Sequence, residues 1–356
     1  MPLCPQPPPT GPPPHHETRS DGPMDHHANT AERLLDRDGL LTHADAVATG
    51  QRELLRTFYR TGALERIAAG VYAAPRGKEP ATPQDHAERY RRRVAAAARR
   101  MPQRVFTSYS AAALLQLPIV APWPEDIYIL SGGRTGSRRP GVREIANRSA
   151  APVGVVAGIR VTAPEHTLLQ LARHASLPAA LVATDAALLC RPWKEGEEPT
   201  LTVDQLHSEH ARLLPYHGSR RAAAVLARAT SLADGPLETL SRFVIDELGF
   251  AAPELQTRFW LPGLHRYVWV DFYWPELNVA AEADGHGKYL DGGERRAAAQ
   301  RVVAEKQRED ELRTQVEKLR RWDWRDVWAV RPLERKLEEL GVPRVRPPRR
   351  VLLGLR

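Results

Sequence analysis

The order of hydrophobic periods between Leu237 and Val330 constrains this chain more than any other feature. A helical period runs over Leu237 to Leu248. Two-residue alternation follows over Leu255 to Leu261, Tyr267 to Tyr273 and Asn278 to Asp284. A long polar helix is expected from about Glu294 to Glu317, then a Trp-rich strand region to Val330. Helical and strand periods do not interchange, so the stretch reads as helix, three strands, helix, strand. Two carboxylates interrupt the strands: Asp271 between Val270 and Phe272, and Glu282 after Val279 and Ala281. Acids in apolar strands cost free energy unless paired or coordinated, which favours a purpose over a pair of solvated strand-end acids. With a turn at Pro275-Glu276, adjacent antiparallel strands set both carboxylates at one end of a sheet. Two oxygen donors there suit Mg²⁺ or Mn²⁺ and leave positions for water and phosphate.

The remaining sequence bounds the setting. At 356 residues the chain is too long for one ordinary core. Its 51 Lys and Arg against 43 Asp and Glu, a net charge of +8, favour contact with polyanions. Cys4 and Cys190 are the two cysteines, which excludes a disulfide framework or a cysteine zinc cluster and points to a reducing compartment. No apolar run approaches the roughly 20 residues that span a bilayer. The first residues lack the apolar stretch of a secretory signal, so the expected location is cytoplasmic, without a membrane partner.

Residues 1–29, rich in Pro and His, read as a disordered tail, with His15, His16, His26 and His27 too unscaffolded to fix a metal. Residues 31–75 read as three short helices and a hairpin, a winged helix-turn-helix. Thr42 caps the second helix with Asp45 as its capping-box partner, and Gln51 to Arg60 forms the third. Leu54, Leu55 and Phe58 give that helix a buried face and leave Arg52, Arg56 and Arg60 in line on the other. Residues 80–230, Ala- and Leu-rich, read as an α+β connector with strands near Asp126 to Leu130 and Ile159 to Thr162. A boundary is expected at Ala233 to Pro236, a C-terminal α/β domain over 234–330, and a basic tail over 331–356. The arginines between Arg89 and Arg100 read as a solvated helix face, and Trp322, Trp324 and Trp328 as core packing in or near the last strand.

The C-terminal segment, about 234–330, resembles the PD-(D/E)XK nuclease superfamily in its branch related to very-short-patch-repair endonucleases. The residues that carry the resemblance are Pro236-Leu237-Glu238, Val270-Asp271, Glu282-Ala283-Asp284-Gly285 with Lys288-Tyr289, Glu305-Lys306 through Arg308-Glu309-Asp310, and Arg321-Trp322-Asp323-Trp324. The resemblance implies a restriction-endonuclease-like α/β fold, Asp271 and Glu282 as metal ligands and Glu238 as a supporting outer carboxylate. It also exposes a departure: Asp284 stands where the general pattern has lysine. Lys288 or Lys306 would then supply the ammonium from a displaced position, with Asp284 as a third ligand, and the site is active, altered or dead. His286 beside it serves either as a loop cap or as a general base.

Residues 31–75, from Gly39-Leu40-Leu41-Thr42 to Gly70-Val71-Tyr72, are similar to the winged-helix domain of AbiEi-type antitoxins. That resemblance implies DNA contact through Arg52, Arg56 and Arg60, and a protein partner of toxin–antitoxin type. The expected function is therefore a metal-dependent DNA endonuclease-like protein, the alternative being a non-catalytic antitoxin-type regulator with a degenerate nuclease fold.

Overall fold

The computed structural model describes residues 30–36, 38–75, 82–191, 193–194, 196, 201–284 and 295–349, the side chains of 295–302 excepted. The chain is mixed α/β with several small sheets, and it divides into two compact units, Met1–Lys78 and Glu79–Arg356. Among the described residues no helix is long and apolar enough to cross a membrane. The Pro/His tail with its four histidines, His286 and Lys288 lie outside the described residues.

In the first unit, strand β1 (Leu40–Thr42) leads into helices α1 (His43–Ala48) and α2 (Arg52–Thr61), then strands β2 (Glu65–Ala68) and β3 (Val71–Ala73). The sheet order is β1-β3-β2, all antiparallel, so Leu40 to Thr42 form a strand that completes the expected hairpin as a three-stranded sheet. Thr42 caps α1, accepting from the Asp45 N–H at 3.0 Å, while its hydroxyl donates to the Asp45 carboxylate at 2.6 Å. Gly62 ends α2 in the left-handed region at φ 77°, which glycine adopts without steric cost. Leu55 and Phe58 join Leu41, Ala46 and Leu64 in a small core, but Leu54 is 46% exposed.

The second unit begins with α3 (Pro83–Arg100), closed at its start by a Thr82–Asp85 capping box, and α4 (Ser108–Leu114). Strands β4 (Ile127–Leu130), β5 (Ser137–Arg139) and β6 (Val142–Ile145) form one sheet, order β4-β6-β5, and β7 (Val153–Val156) with β8 (Ile159–Thr162) a hairpin. Helices α5 (Pro164–His174), α6 (Leu177–Leu188), α7 (Val203–Leu213) and α8 (Ser219–Leu226) follow. Next come α9 (Pro236–Glu247), β9 (Glu254–Leu261), β10 (Arg266–Trp274), β11 (Val279–Ala283), α10 (Arg295–Leu312), β12 (Lys318–Trp322), α11 (Trp324–Ala329) and α12 (Arg331–Leu340). The second sheet runs β12-β11-β10-β9, antiparallel except for the parallel β11–β12 pair across the α10 crossover.

The boundary expected at Ala233 to Pro236 does not divide this unit, because one core crosses it: Tyr90, Leu168 and Leu181 share a cluster with Leu240, Phe272, Trp322 and Leu337. Buried Asp185 ties the two stretches together, accepting from the Thr230 N–H, Thr239 Oγ1 and Arg242 Nη2, each at 2.9 Å. A connector that buries its carboxylate under the next segment's helix is part of the same folding unit.

Two further expectations are corrected. Trp324 and Trp328 stand on a helix, not a strand, because Asp323 caps it by accepting from the Arg325 and Asp326 N–H groups at 2.8 and 3.1 Å. Residues 331–349 are not a loose basic tail. Leu333, Leu337 and Leu340, at the helical i, i+4, i+7 spacing, are buried, and Arg344 and Arg346 are paired with Glu334, Glu338 and Asp246. The glycine at 249, φ 79°, leaves room for the Arg346 carbonyl against its backbone, where any side chain would collide.

Candidate carboxylate site

Strand β10 changes the core it serves at Asp271. Val268 and Val270 belong to a cluster with Leu312 and Leu319, whereas Phe272 and Trp274 belong to the main core. The change coincides with Gln256 on β9, whose φ of 50° is left-handed although the residue is not glycine. Residue pairs Val270↔Thr257 and Phe272↔Leu255 flank that point, so Asp271 and Gln256 meet across the distortion. The Gln256 amide donates to Asp271 Oδ1 at 3.2 Å and to Glu238 Oε2 at 3.0 Å, bridging a strand carboxylate to one from the first turn of α9. The Asp234 N–H donates to the same Glu238 oxygen at 2.9 Å, and the Ala283 N–H to Asp271 Oδ2 at 2.8 Å.

Neither acid has a cation in ion-pair range among the described residues, and both are held towards the neutral form. Burial, then the Asp271 charge, pushes Glu238 up to about 8. Burial also drives Asp271 up, to about 6. The Ala283 N–H opposes that rise and the Glu282 charge adds to it. They line a cavity of about 280 Å³ with Asp234, Gln256, Ala283, Trp193 and Trp269, the two indoles 5.7 Å apart at its wall.

Glu282 has the opposite environment. It is 8% exposed, and both oxygens are taken: Arg308 Nη1 lies 2.8 Å from Oε1, Arg308 Nη2 2.9 Å from Oε2 and Arg321 Nη2 2.8 Å from Oε2. Register explains one partner, since parallel pairing sets Glu282 beside Arg321 on β12. Glu305 completes the network at 2.7 Å from Arg308 and 2.6 Å from Arg321. Burial works against the Arg308 charge, but the Glu305 and Glu282 carboxylates overcome it and raise its pKa.

The expected residues thus separate into groups. Asp271 and Glu282 are neighbours across β10 and β11, one step beyond the Phe272↔Ala281 pair, and Glu238 joins Asp271 directly through Gln256. Asp284 turns to Arg321, 3.8 Å away. Among the described residues no group of three His, Cys, Asp or Glu is assembled to hold a metal, so Asp271, Glu282 and Asp284 do not form a three-ligand cluster. Lys306 is exposed, and two residues along α10 is about 200° around the helix, so it faces away from the side on which Arg308 reaches Glu282. Arg52, Arg56 and Arg60 are exposed on α2, with Arg56 held to Glu53 at 2.8 Å.

In the sequence Arg308 and Arg321 stand among residues that carry a family resemblance, with no role of their own, Asp234 marks only an expected boundary, and Gln256 stands out in no way. The signal for Arg321 was its place opposite Glu282 in a parallel pair; Gln256 had none, because its role rests on a backbone distortion.

Hard oxygen donors with no paired cation, Asp271 and Glu238, fit Mg²⁺ or Mn²⁺, which take one or two carboxylates and keep several waters. Glu282 fits such an ion less well while two guanidinium groups hold it.

No family model matches the chain. Over 151 residues, 40% of its length, the chain is 30% identical to two Mycobacterium tuberculosis proteins, "Uncharacterized protein MT2308" of strain CDC 1551 / Oshkosh and "Uncharacterized protein Rv2248" of strain ATCC 25618 / H37Rv. The match covers 52% of each, so the chain spans about half the length of the curated relatives it matches.

Proposed function

We propose that this chain is a cytoplasmic, metal-dependent DNA endonuclease-like protein, with a winged helix-turn-helix in its first unit and a restriction-endonuclease-like sheet in its second. The observation that carries the reading is the Glu238–Gln256–Asp271 bridge beside Arg-clamped Glu282, at the wall of an acidic cavity. Mg²⁺ or Mn²⁺, when bound, supplies an activated water and offsets charge on a phosphodiester under attack. Asp271 and Glu238 would hold it, and Gln256 orients both carboxylates through one amide. Arg308 provides the fixed positive charge beside Glu282 that the lysine-less pattern lacks, from the following helix rather than the same strand. On α2, Arg52, Arg56 and Arg60 present an exposed row to DNA phosphates.

Incubation of supercoiled and linear DNA with Mg²⁺ or Mn²⁺ tests the reading. Cleavage is expected from the wild type and not from Asp271→Asn or Glu238→Gln; equal cleavage by all three removes the proposed site.

A second reading, a non-catalytic antitoxin-type regulator with a protein partner, is favoured by one specific observation: both Glu282 oxygens are committed to arginine and Asp284 stands in the lysine position. It predicts no cleavage, no Mg²⁺ heat in calorimetry on the whole chain, and DNA binding that Arg52→Gln with Arg56→Gln weakens.

A further inference from the structure

Many arginines of the second unit are paired with a carboxylate. Arg104, Arg212, Arg228, Arg242, Arg308, Arg321, Arg344 and Arg346 all have one within 3.2 Å. Four arginines without one lie close enough to act on one another: Arg143 on β6, Arg148 just after it, Arg173 at the end of α5 and Arg221 at the start of α8. Among the described residues none has a carboxylate in ion-pair range. Arg143 lies over the Tyr128 ring at 5.8 Å, and Arg148 donates to the Arg134 carbonyl at 3.3 Å. Arg173 donates to the His217 carbonyl at 2.7 Å and the Gln170 side chain at 2.6 Å, and covers the Tyr216 ring at 5.5 Å. Arg221 donates to the carbonyls of Arg173 and Ala175.

The cluster is built rather than incidental. Gly218, at φ 85°, lies where a Cβ would come within 3.1 Å of Arg173, so glycine both turns the chain into α8 and lets the guanidinium stem pack there. His174, against Tyr128 at 5.7 Å, has a buried Nε2 with no hydrogen-bond partner. The charges press on one another. Burial and then Arg148 and Arg143 oppose the Arg173 charge, though the neighbouring Tyr216 favours it. Burial followed by Arg143, Arg173, Arg221 and His217 takes His174 down to about 3. Holding like charges together without counter-charge is unfavourable in the free protein, and an anion relieves it. Arg148, His217 and Arg221 are exposed, so the cluster opens onto the surface. Guanidinium groups contributed by β6, the loop after it, α5 and α8, and open to the surface, suit a polymer of phosphates better than a single enclosed anion.

We infer that Arg143, Arg148, Arg173 and Arg221 form a second DNA-backbone contact, on the β6–α5–α8 face of the second unit, separate from the exposed arginines of α2. The choice of DNA as the polyanion rests on the proposed function; the cluster itself does not.

The test is fluorescence anisotropy of a labelled duplex with the whole chain, in EDTA, over a salt series. Arg143→Gln with Arg148→Gln removes two phosphate contacts, so the log–log salt slope is expected to fall by about 1.8 and affinity at low salt to drop about tenfold. Exposed Arg148→Glu alone should produce a drop in the same direction, which keeps the test valid if the double variant unfolds. Arg52→Gln with Arg56→Gln should subtract its own slope additively. An unchanged slope in both cluster variants, or no duplex binding at low salt, overturns the inference. EDTA keeps cleavage out of the binding measurement, and cutting is read separately with Mg²⁺ or Mn²⁺: a reduced slope in a chain that does not cut DNA with either metal sinks the nuclease reading and leaves this contact standing, whereas cutting with an unchanged slope does the reverse.

Discussion

Replacing Glu238 with glutamine should stabilise the metal-free chain at pH 8 and leave it nearly unchanged near pH 4. In the folded chain, burial and then the Asp271 charge carry Glu238 from its ordinary 4.5 to about 8. A carboxyl whose folded pKa is raised contributes stability that is full below its unfolded pKa and lost as pH rises through the folded value. The window is therefore about pH 4.5 to 8, and the wild type should lose stability across it. Each tenfold change in proton affinity is worth about 1.4 kcal/mol, which sets a ceiling near 5 kcal/mol for this group. Glu238 keeps some solvent contact and shares its titration with Asp271, so about 2 kcal/mol is the expected gain for Glu238→Gln at pH 8. Glutamine retains the acceptor that the Asp234 N–H and the Gln256 amide use, so packing is preserved. Urea unfolding at pH 4.5, 6 and 8 measures it. Mg²⁺ should raise wild-type stability at pH 8, where the acids are ionised, and raise the variant's less. A variant destabilised equally at all three pH values would refute the reasoning, since the carboxylate would then be structural rather than charge-strained.

Three other outcomes are expected. Arg308→Met leaves Glu282 buried with Arg321 alone and should cost about 3 kcal/mol in urea unfolding, much of it recovered by adding Glu282→Gln. Asp185→Ala strips the buried acceptor of Thr230, Thr239 and Arg242 and should cost about 3–5 kcal/mol while the second unit still unfolds in one transition; two separate transitions would show that its halves are independent. Phe58→Ala, in the small first core, should cost about 3–4 kcal/mol, seen as early proteolysis confined to the first unit while the second stays protected.

The sequence by itself determined most elements of both units, because hydrophobic period and capping residues are local properties: Leu55 and Phe58 mark the buried stripe of α2, Thr42 its neighbour's cap, and the alternation about Asp271 and Glu282 the strands. It also drew attention to Asp271 and Glu282, since acids among apolar neighbours are visible without a fold, whereas Glu238 stood out only through the family resemblance. Other features needed the tertiary structure. Leu40 to Thr42 became a strand because Val71 to Ala73 offered an open edge. The stretch after Val330 became a packed helix because Leu333, Leu337 and Leu340 met an existing core. Partner choice was decided there too. Glu282 took Arg308 and Arg321, and Asp271 took Gln256, because a parallel crossover and a left-handed residue set which side chains meet. Such pairings join residues 15 to 39 positions apart, as with Gln256 and Asp271 or Glu282 and Arg321, and no local propensity encodes which of several charges a buried acid will find.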